Sequence, residues 1–460
     1  MKTFSKKIIL IPAVLLLTFL CGCAAFFGDP NLSSERAAEA IGKALTAWDA
    51  TDKQALDVHT ELTRPAVITE TEDLHLQFTG LRSESPLIAV QESFSCGNAV
   101  CTAEEIYADG TVYRKADDAL FSGTYKDYVT RLMPIAIPKR DIFNEVTGVR
   151  KEDTVVITPV NAADAALWEL PDGSSLTAAE LHATLTKDSL FRDIAYQVTL
   201  QTADGEIKYA VSVTMQADNA FEIQAPQNAD AYRSISDLEG LRLLQLASCR
   251  LAGAEAIRAD ITESIDCQAG GVSRAGATEL SFSGSGDAFA ADVKVKVDQN
   301  DYSRSGEIST YEQAEKFIDG KYVLTVGEQE VVPEQEVTAD YLKEYCGKLL
   351  TDLLPSLNFV SDISSEAADG KIILTVQLGE DAAAAIRENA SLLLYQDGAL
   401  LDSMASFCET DTLTFQMEFS ESTGLPMRAK QEYACTHTIE NYAYQLLCTE
   451  EATYLFGIQQ

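Results

Sequence analysis

Basic side chains, histidine and tryptophan are all scarce in this chain. Its 460 residues hold 4 histidines and 2 tryptophans, and Lys and Arg together number 35 against 71 Asp and Glu. The net charge of −36 excludes nucleic acid as a partner, because phosphate contacts need a cationic face. It also sets the folded body against anionic headgroups, so membrane contact has to come through an anchor and not through the surface. No Gly-x-Ser-x-Gly elbow, His-Glu-x-x-His pair or phosphate-binding glycine loop occurs. The histidines His59, His75, His182 and His437 read as scattered, and no Cys-x-x-Cys is present. No catalytic group, metal site or cofactor is therefore expected, and the chain reads as non-enzymatic. The segment Asp298-Gln299-Asn300-Asp301-Tyr302 lacks the glycine of a calcium loop and reads as a turn with solvated carboxylates.

What is present is the make-up of an ordinary folded protein, 46% hydrophobic and 8% aromatic with only 12 prolines. The length has room for two domains, each large enough to bury a core. Residues 1–22 have the three parts of an export signal: Lys2, Lys6 and Lys7, then an apolar run over 8–20, then Leu20-Cys21-Gly22-Cys23. The apolar run is too short for a comfortable membrane span. Its end resembles the lipobox of bacterial lipoproteins. That resemblance implies cleavage after Gly22 and a diacylglyceryl thioether on Cys23, with acyl chains of the palmitate class. Cys21 offers a second site, but Leu20 before it is larger than the pattern accepts. Two acyl chains bury enough methylenes to hold a protein stably at a bilayer, at about 0.8 kcal/mol each. The expected address is the extracytoplasmic side of the bacterial cell membrane.

Eight cysteines follow Cys23: Cys96, Cys101, Cys249, Cys267, Cys346, Cys408, Cys435 and Cys448. An even number in an exported chain favours disulfides over buried thiols. Cys96 and Cys101 flank the turn chemistry of Gly97-Asn98 and are expected to bridge across a hairpin. Cys435 is expected to pair with Cys448, with Cys408 as a competing partner.

The chain also repeats. Residues 126–166 align without a gap on 343–383: Lys126-Asp127-Tyr128 on Lys343-Glu344-Tyr345, Ile137-Pro138 on Leu354-Pro355, and Val155-Val156-Ile157-Thr158 on Ile372-Ile373-Leu374-Thr375. Leu76 and Phe78 align on Leu280 and Phe282, Asp109-Gly110 on Asp319-Gly320, and Gly205 on Gly424. A steadily growing offset is what loop insertions in a duplicated domain leave behind. The reading is a signal peptide over 1–22, a tether over 23–34, one domain over 35–225, a linker over 226–237 and a second domain over 238–460.

Each half opens on a helix, near 35–48 with an apolar stripe at helical spacing, and as a weaker pattern over 238–252. Period-two alternation then marks strands: Leu56, Val58 and Leu62; Leu74, Leu76 and Phe78; Ile257, Ala259 and Ile261; Val293, Val295 and Val297. Further helix is expected over 125–132, 140–146, 177–185 and 338–354. Terminal hairpins are expected around 194–215 and 413–435.

A helix, an antiparallel meander, a helical break, more strands and a closing hairpin is an order that resembles the LolA/LppX-like lipoprotein-carrier domains. The local match is the hairpin turn Ser422-Thr423-Gly424-Leu425-Pro426-Met427. Its first-half counterpart is read as the turn from Thr202 to Ile207. The resemblance implies an α+β fold: two tandem domains, each a curved antiparallel sheet, a half-barrel, wrapped around helices. It further implies an apolar concavity for lipid or another hydrophobic ligand, with Leu76, Phe78, Tyr196, Val198, Phe415 and Met417 as candidate lining. The alternative reading is an interaction or scaffold lipoprotein that binds an envelope protein partner and no small molecule.

Overall fold

A computed structural model describes residues 31–64, 68–80, 83, 85–124, 128, 132, 136–171, 173–202, 205–216, 220–267, 272–284, 288–301, 308–333, 336–379, 409–439 and 442–457. The signal segment and Cys23 therefore lie outside the described residues. Among those described, no helix is long and apolar enough to cross a membrane. The chain divides into two compact units, the first made up of residues up to 65, 69–94 and 102–232, the second of 233–460 together with the short segments 66–68 and 95–101.

The first unit starts with α1 (Ser34–Ala50), where the Ser33 hydroxyl accepts a hydrogen bond from the Arg36 amide. Ala37, Ile41, Ala44, Leu45 and Trp48 form its buried stripe. A meander follows: β1 (Lys53–Arg64), β2 (Ile68–Thr79), β3 (Leu87–Cys96), β4 (Ala99–Ala108), β5 (Thr111–Ala116) and β6 (Ala119–Gly123). After a 3-10 turn at Arg140–Phe143 come β7 (Val146–Lys151), β8 (Thr154–Pro159), β9 (Ser175–Thr186), β10 (Phe191–Thr202) and β11 (Gly205–Met215). Apart from two-residue bridges, the spatial order is β7-β8-β9-β10-β11-β1-β2-β3-β4-β5-β6. The last strand thus returns to lie against the first, with Val213 opposite Val58 and Val211 opposite Thr60.

In the second unit α2 (Leu238–Ala252) precedes β12 (Ala256–Cys267), β13 (Val272–Ser283), β14 (Ala290–Asp301), β15 (Ile308–Ile318), β16 (Lys321–Val326) and β17 (Gln329–Val331). Then come α3 (Ala339–Thr351), β18 (Val360–Ala368), β19 (Lys371–Leu378), β20 (Glu409–Ser420), β21 (Pro426–Ile439) and β22 (Tyr442–Phe456). Among the described residues its strands run β17-β16-β15-β14-β13-β12-β22-β21-β20-β19-β18. The order is that of the first unit, strand for strand, and again the last strand pairs with the first.

Both units are curved, open, antiparallel sheets with few helices, so the fold is more sheet-dominated than an even α+β mixture. Alternation along each strand sorts the faces. Leu56, Val58 and Leu62 of β1 are buried, while Asp57, His59 and Glu61 between them are half-buried or exposed.

Several expectations need correction. Residues 177–185 are not helical: they belong to β9, paired with β8 on one side and β10 on the other. The helix expected over 140–146 is only the 3-10 turn, and Val146 already starts β7. Asp298 to Asp301 are not a turn but the end of β14, paired with β13. The helix expected over 125–132 falls largely outside the described residues. Gly205 and Gly424 are not equivalent either. Gly205 opens β11, whereas Gly424 lies between β20 and β21, whose counterpart is the β9–β10 turn. There the Thr186 amide donates to the Leu190 carbonyl, as the Ser420 amide does to Leu425.

The Thr423-Gly424-Leu425 turn shows why glycine is needed. Gly424 has φ +66°, and a Cβ there would lie 3.3 Å from Arg250 Nη1. That guanidinium, reaching from α2, donates to the Gly424 carbonyl at 2.7 Å. Gly424→Ala is expected to lower the second unit's stability by about 1–2 kcal/mol, the cost of a left-handed L-residue. Urea denaturation measures it, and an unchanged midpoint would contradict the assignment.

Candidate functional site

The six residues expected to line a ligand cavity sit on three strands: Leu76 and Phe78 on β2, Tyr196 and Val198 on β10, Phe415 and Met417 on β20. All are core, between 0% and 7% exposed. The Tyr196 hydroxyl donates to the Ala136 carbonyl at 2.8 Å, and its ring meets Trp168 edge-on at 5.5 Å. Burial pushes its phenol well above the usual tyrosine range. Phe415 and Met417 stand beside Val376 and Leu374 of the neighbouring strand. The first four belong to the first unit and the last two to the second.

A cleft of about 650 Å³ lies elsewhere, on the polar face of the first unit's sheet. None of the six lines it. Its walls include Asp57, His59, Asp73, His75, Glu104 and Lys115. His75 Nδ1 is 2.6 Å from an Asp57 oxygen, and His59 Nδ1 is 2.7 Å from Asp73. Two of the four histidines therefore converge, contrary to their scattered look in the sequence. The signal that would have found them is an Asp-x-His repeated on two adjacent strands, Asp57-Val58-His59 and Asp73-Leu74-His75. The carboxylates orient both imidazoles. Among the described residues no hydroxyl bonds to either ring's second nitrogen, and no three His, Cys, Asp or Glu side chains are grouped to hold a metal.

The cysteine expectations fare differently. Cys96 and Cys101 flank a tight turn with Gly97 at φ +55°, yet both stand as thiols, as do Cys249, Cys346 and Cys448. The hairpin is held by its ladder without a bridge. The side chain of Cys435, expected to pair with Cys448, lies outside the described residues, as does Cys408. The Cys346 thiol is pushed up to about 12, by burial first and by the nearby charge of Glu315 second.

Glu315 leads to the place where the two units differ. In the first unit Glu105 on β4 stands directly opposite Arg114 on β5. The Arg114 guanidinium, 1% exposed, hydrogen-bonds to Glu105 and, at 3.0 Å, to Glu92, and the Tyr128 hydroxyl donates to Glu105 at 2.9 Å. Val112, Ala116 and Phe121 seal this end of the sheet with no exposure.

In the second unit the same register holds Glu315 opposite Leu324. No acidic residue answers to Glu92: the buried face of β14 carries Ala291, Val293 and Val295. Glu315 accepts instead from the Tyr322 hydroxyl and the Gln313 amide, both at 2.7 Å, and Gln313 in turn accepts from the Tyr311 hydroxyl. Tyr322, Leu324 and Val326 are half-buried where their first-unit counterparts are sealed. The Tyr322 phenol is held above the usual tyrosine range, by burial first, then by its bond to Glu315 and the neighbouring Tyr345 and Tyr341 hydroxyls. At this point of the second unit tyrosine and aliphatic side chains are half-buried beside a carboxylate that is 7% exposed.

No family model matches the sequence, and no curated protein sequence does either. Among solved structures, LprF from Mycobacterium bovis shares 9% identity over 49% of this chain and 95% of its own, at a TM-score of 0.27. A putative AttH from Nitrosomonas europaea shares 8% over 88% of this chain and 93% of its own, at 0.16. OccK3 from Pseudomonas aeruginosa shares 6% over 88% and 96%, at 0.10. None superposes well enough to assign this chain a fold or an activity.

The sealed end makes a direct prediction. Arg114→Leu, which copies the second unit's residue, leaves two buried carboxylates without their guanidinium and should destabilise the first unit by about 3–5 kcal/mol. Adding Glu105→Gln should recover part of that loss. Denaturant titration of the full chain reads both, and an unshifted first-unit transition would contradict the pairing.

Proposed function

We propose that this chain is a non-enzymatic, lipid-anchored protein of the bacterial cell envelope. In this reading it is a duplicated LolA/LppX-like unit that carries a hydrophobic ligand under the sheet of its second unit. The anchor is Cys23 in Leu20-Cys21-Gly22-Cys23, and the acidic body faces the extracytoplasmic side. The observation that carries the ligand reading is the half-buried apolar surface at β15–β16. In one molecule the same strand order is closed by Val112, Arg114 and Ala116 in one unit, and left half-open at Tyr322, Leu324 and Val326 in the other. Half-open apolar surface with a few placed polar groups is what small-molecule sites are built from.

One observation favours the interaction reading. The second sheet ends on the short strand β17, wholly exposed, with Val332 beyond it 85% exposed, an edge on which a partner strand could pair.

Organic extraction of the mature protein, purified without detergent, followed by mass spectrometry separates the two. A bound apolar compound in near-stoichiometric amount is expected. An empty protein that instead recovers a single envelope partner would contradict the carrier reading.

A further inference from the structure

Glu315 is only 7% exposed, and both of its hydrogen-bond donors, Tyr322 and Gln313, are neutral. Among the described residues no cation pairs with it. A carboxylate buried without a counter-charge is unfavourable, and folds retain one where something completes it. The first unit shows how this fold completes the same carboxylate: Arg114, directly across the ladder, puts its guanidinium on Glu105. In the second unit Leu324 holds that register position, so the internal cation is gone and the side chains of β16 beside it are half-buried where those of the first unit are sealed. What has gathered there is aromatic. Tyr322 touches the carboxylate, Tyr311 reaches it through Gln313, and Tyr341 and Tyr345 of α3 stand near the Tyr322 hydroxyl. Several tyrosines around one carboxylate is the environment that favours an organic ammonium, through cation–π attraction and one desolvated charge pair.

We propose that the half-buried surface around Glu315, Tyr322 and Leu324 in the second unit binds an amphiphile with a protonated amine or quaternary ammonium head. The head takes the place that the Arg114 guanidinium holds in the first unit, and the chain lies over Leu324 and Val326. The inference rests on the hydrophobic-ligand reading above and names that ligand's head group.

The test is calorimetric titration of the full mature chain with decyltrimethylammonium, decyl sulfate and decyl maltoside, each below its aggregation concentration. Because any acidic protein attracts cations weakly, the informative comparison is between the native chain and Glu315→Gln, which removes one charge among 71 carboxylates. The native chain is expected to bind decyltrimethylammonium at least about tenfold more tightly than decyl maltoside. Glu315→Gln should erase that preference and keep the maltoside affinity. Leu324→Arg, which installs the first unit's guanidinium, should abolish ammonium binding and also serves if Glu315→Gln does not fold. A preference that survives both substitutions overturns the proposal. If decyl maltoside and decyl sulfate bind and the ammonium has no advantage, the head-group assignment alone falls. If no decyl probe binds, the hydrophobic-ligand reading falls and takes this one with it.

Discussion

The pairing of the last strand with the first decides everything else in each unit. β11 lies against β1 and β22 against β12, with side chains in strict register across both ladders. A slip of one residue would turn every buried valine and leucine of these strands to solvent, so the apolar alternation and the pairing enforce one another. Because the partners stand at opposite ends of each unit's sequence, the inner face can be buried only once the whole unit is present. The loop-closure entropy of such contacts must be met before burial offsets it, which is the mark of a slow-forming sheet.

That register also dictates which polar groups face inward. Once β4 and β15 are aligned on their valine- and phenylalanine-bearing neighbours, Glu105 and Glu315 have no choice but the inner face. A carboxylate in that position demands a response from its surroundings. The first unit answers with an arginine, a second glutamate and a tyrosine, all sealed under aliphatic side chains. The second unit keeps the glutamate, exchanges the arginine position for leucine and surrounds it with tyrosines. One architecture thus carries two chemistries: a structural ion cluster in one unit and, in the other, a carboxylate bonded to neutral donors beside half-buried tyrosine and aliphatic side chains. The polar cleft with its two aspartate–histidine pairs is a separate feature, on the opposite face of the first sheet.

Much of the sheet was legible because period-two alternation survives wherever one face is wet, as along Leu56 to Leu62 or Ala291 to Val297. It failed where local propensity opposed tertiary pairing. Thr177-Ala178-Ala179-Glu180-Leu181 is rich in helix formers, yet it is held extended between two strands. Glu312-Gln313-Ala314-Glu315-Lys316 hid β15 in the same way. The repeat was visible in the Asp-Gly turns, where Asp109 and Asp319 both adopt positive φ. It was misjudged at Gly424, because the second half carries a longer stretch before β20 that shifts the alignment by one hairpin. The exchange of arginine for leucine was also within reach. Counting four residues outward from each Asp-Gly turn gives Glu105 with Arg114 and Glu315 with Leu324. What sequence alone could not supply was that these positions face inward. The six lining candidates are buried, and alternation cannot separate a packed core from a cavity wall.

Hydrogen exchange measured on the two equivalent hairpins of one molecule tests the central claim, that one unit is sealed and the other open at the same point of the same fold. Amides of β4 and β5, around the sealed Arg114, should exchange only through unfolding of the whole first unit. Those of β15 and β16, around Glu315 and Leu324, should exchange through local opening and far sooner relative to the rest of their own sheet. Equal protection of the two hairpins, or faster exchange around Arg114, would contradict the account.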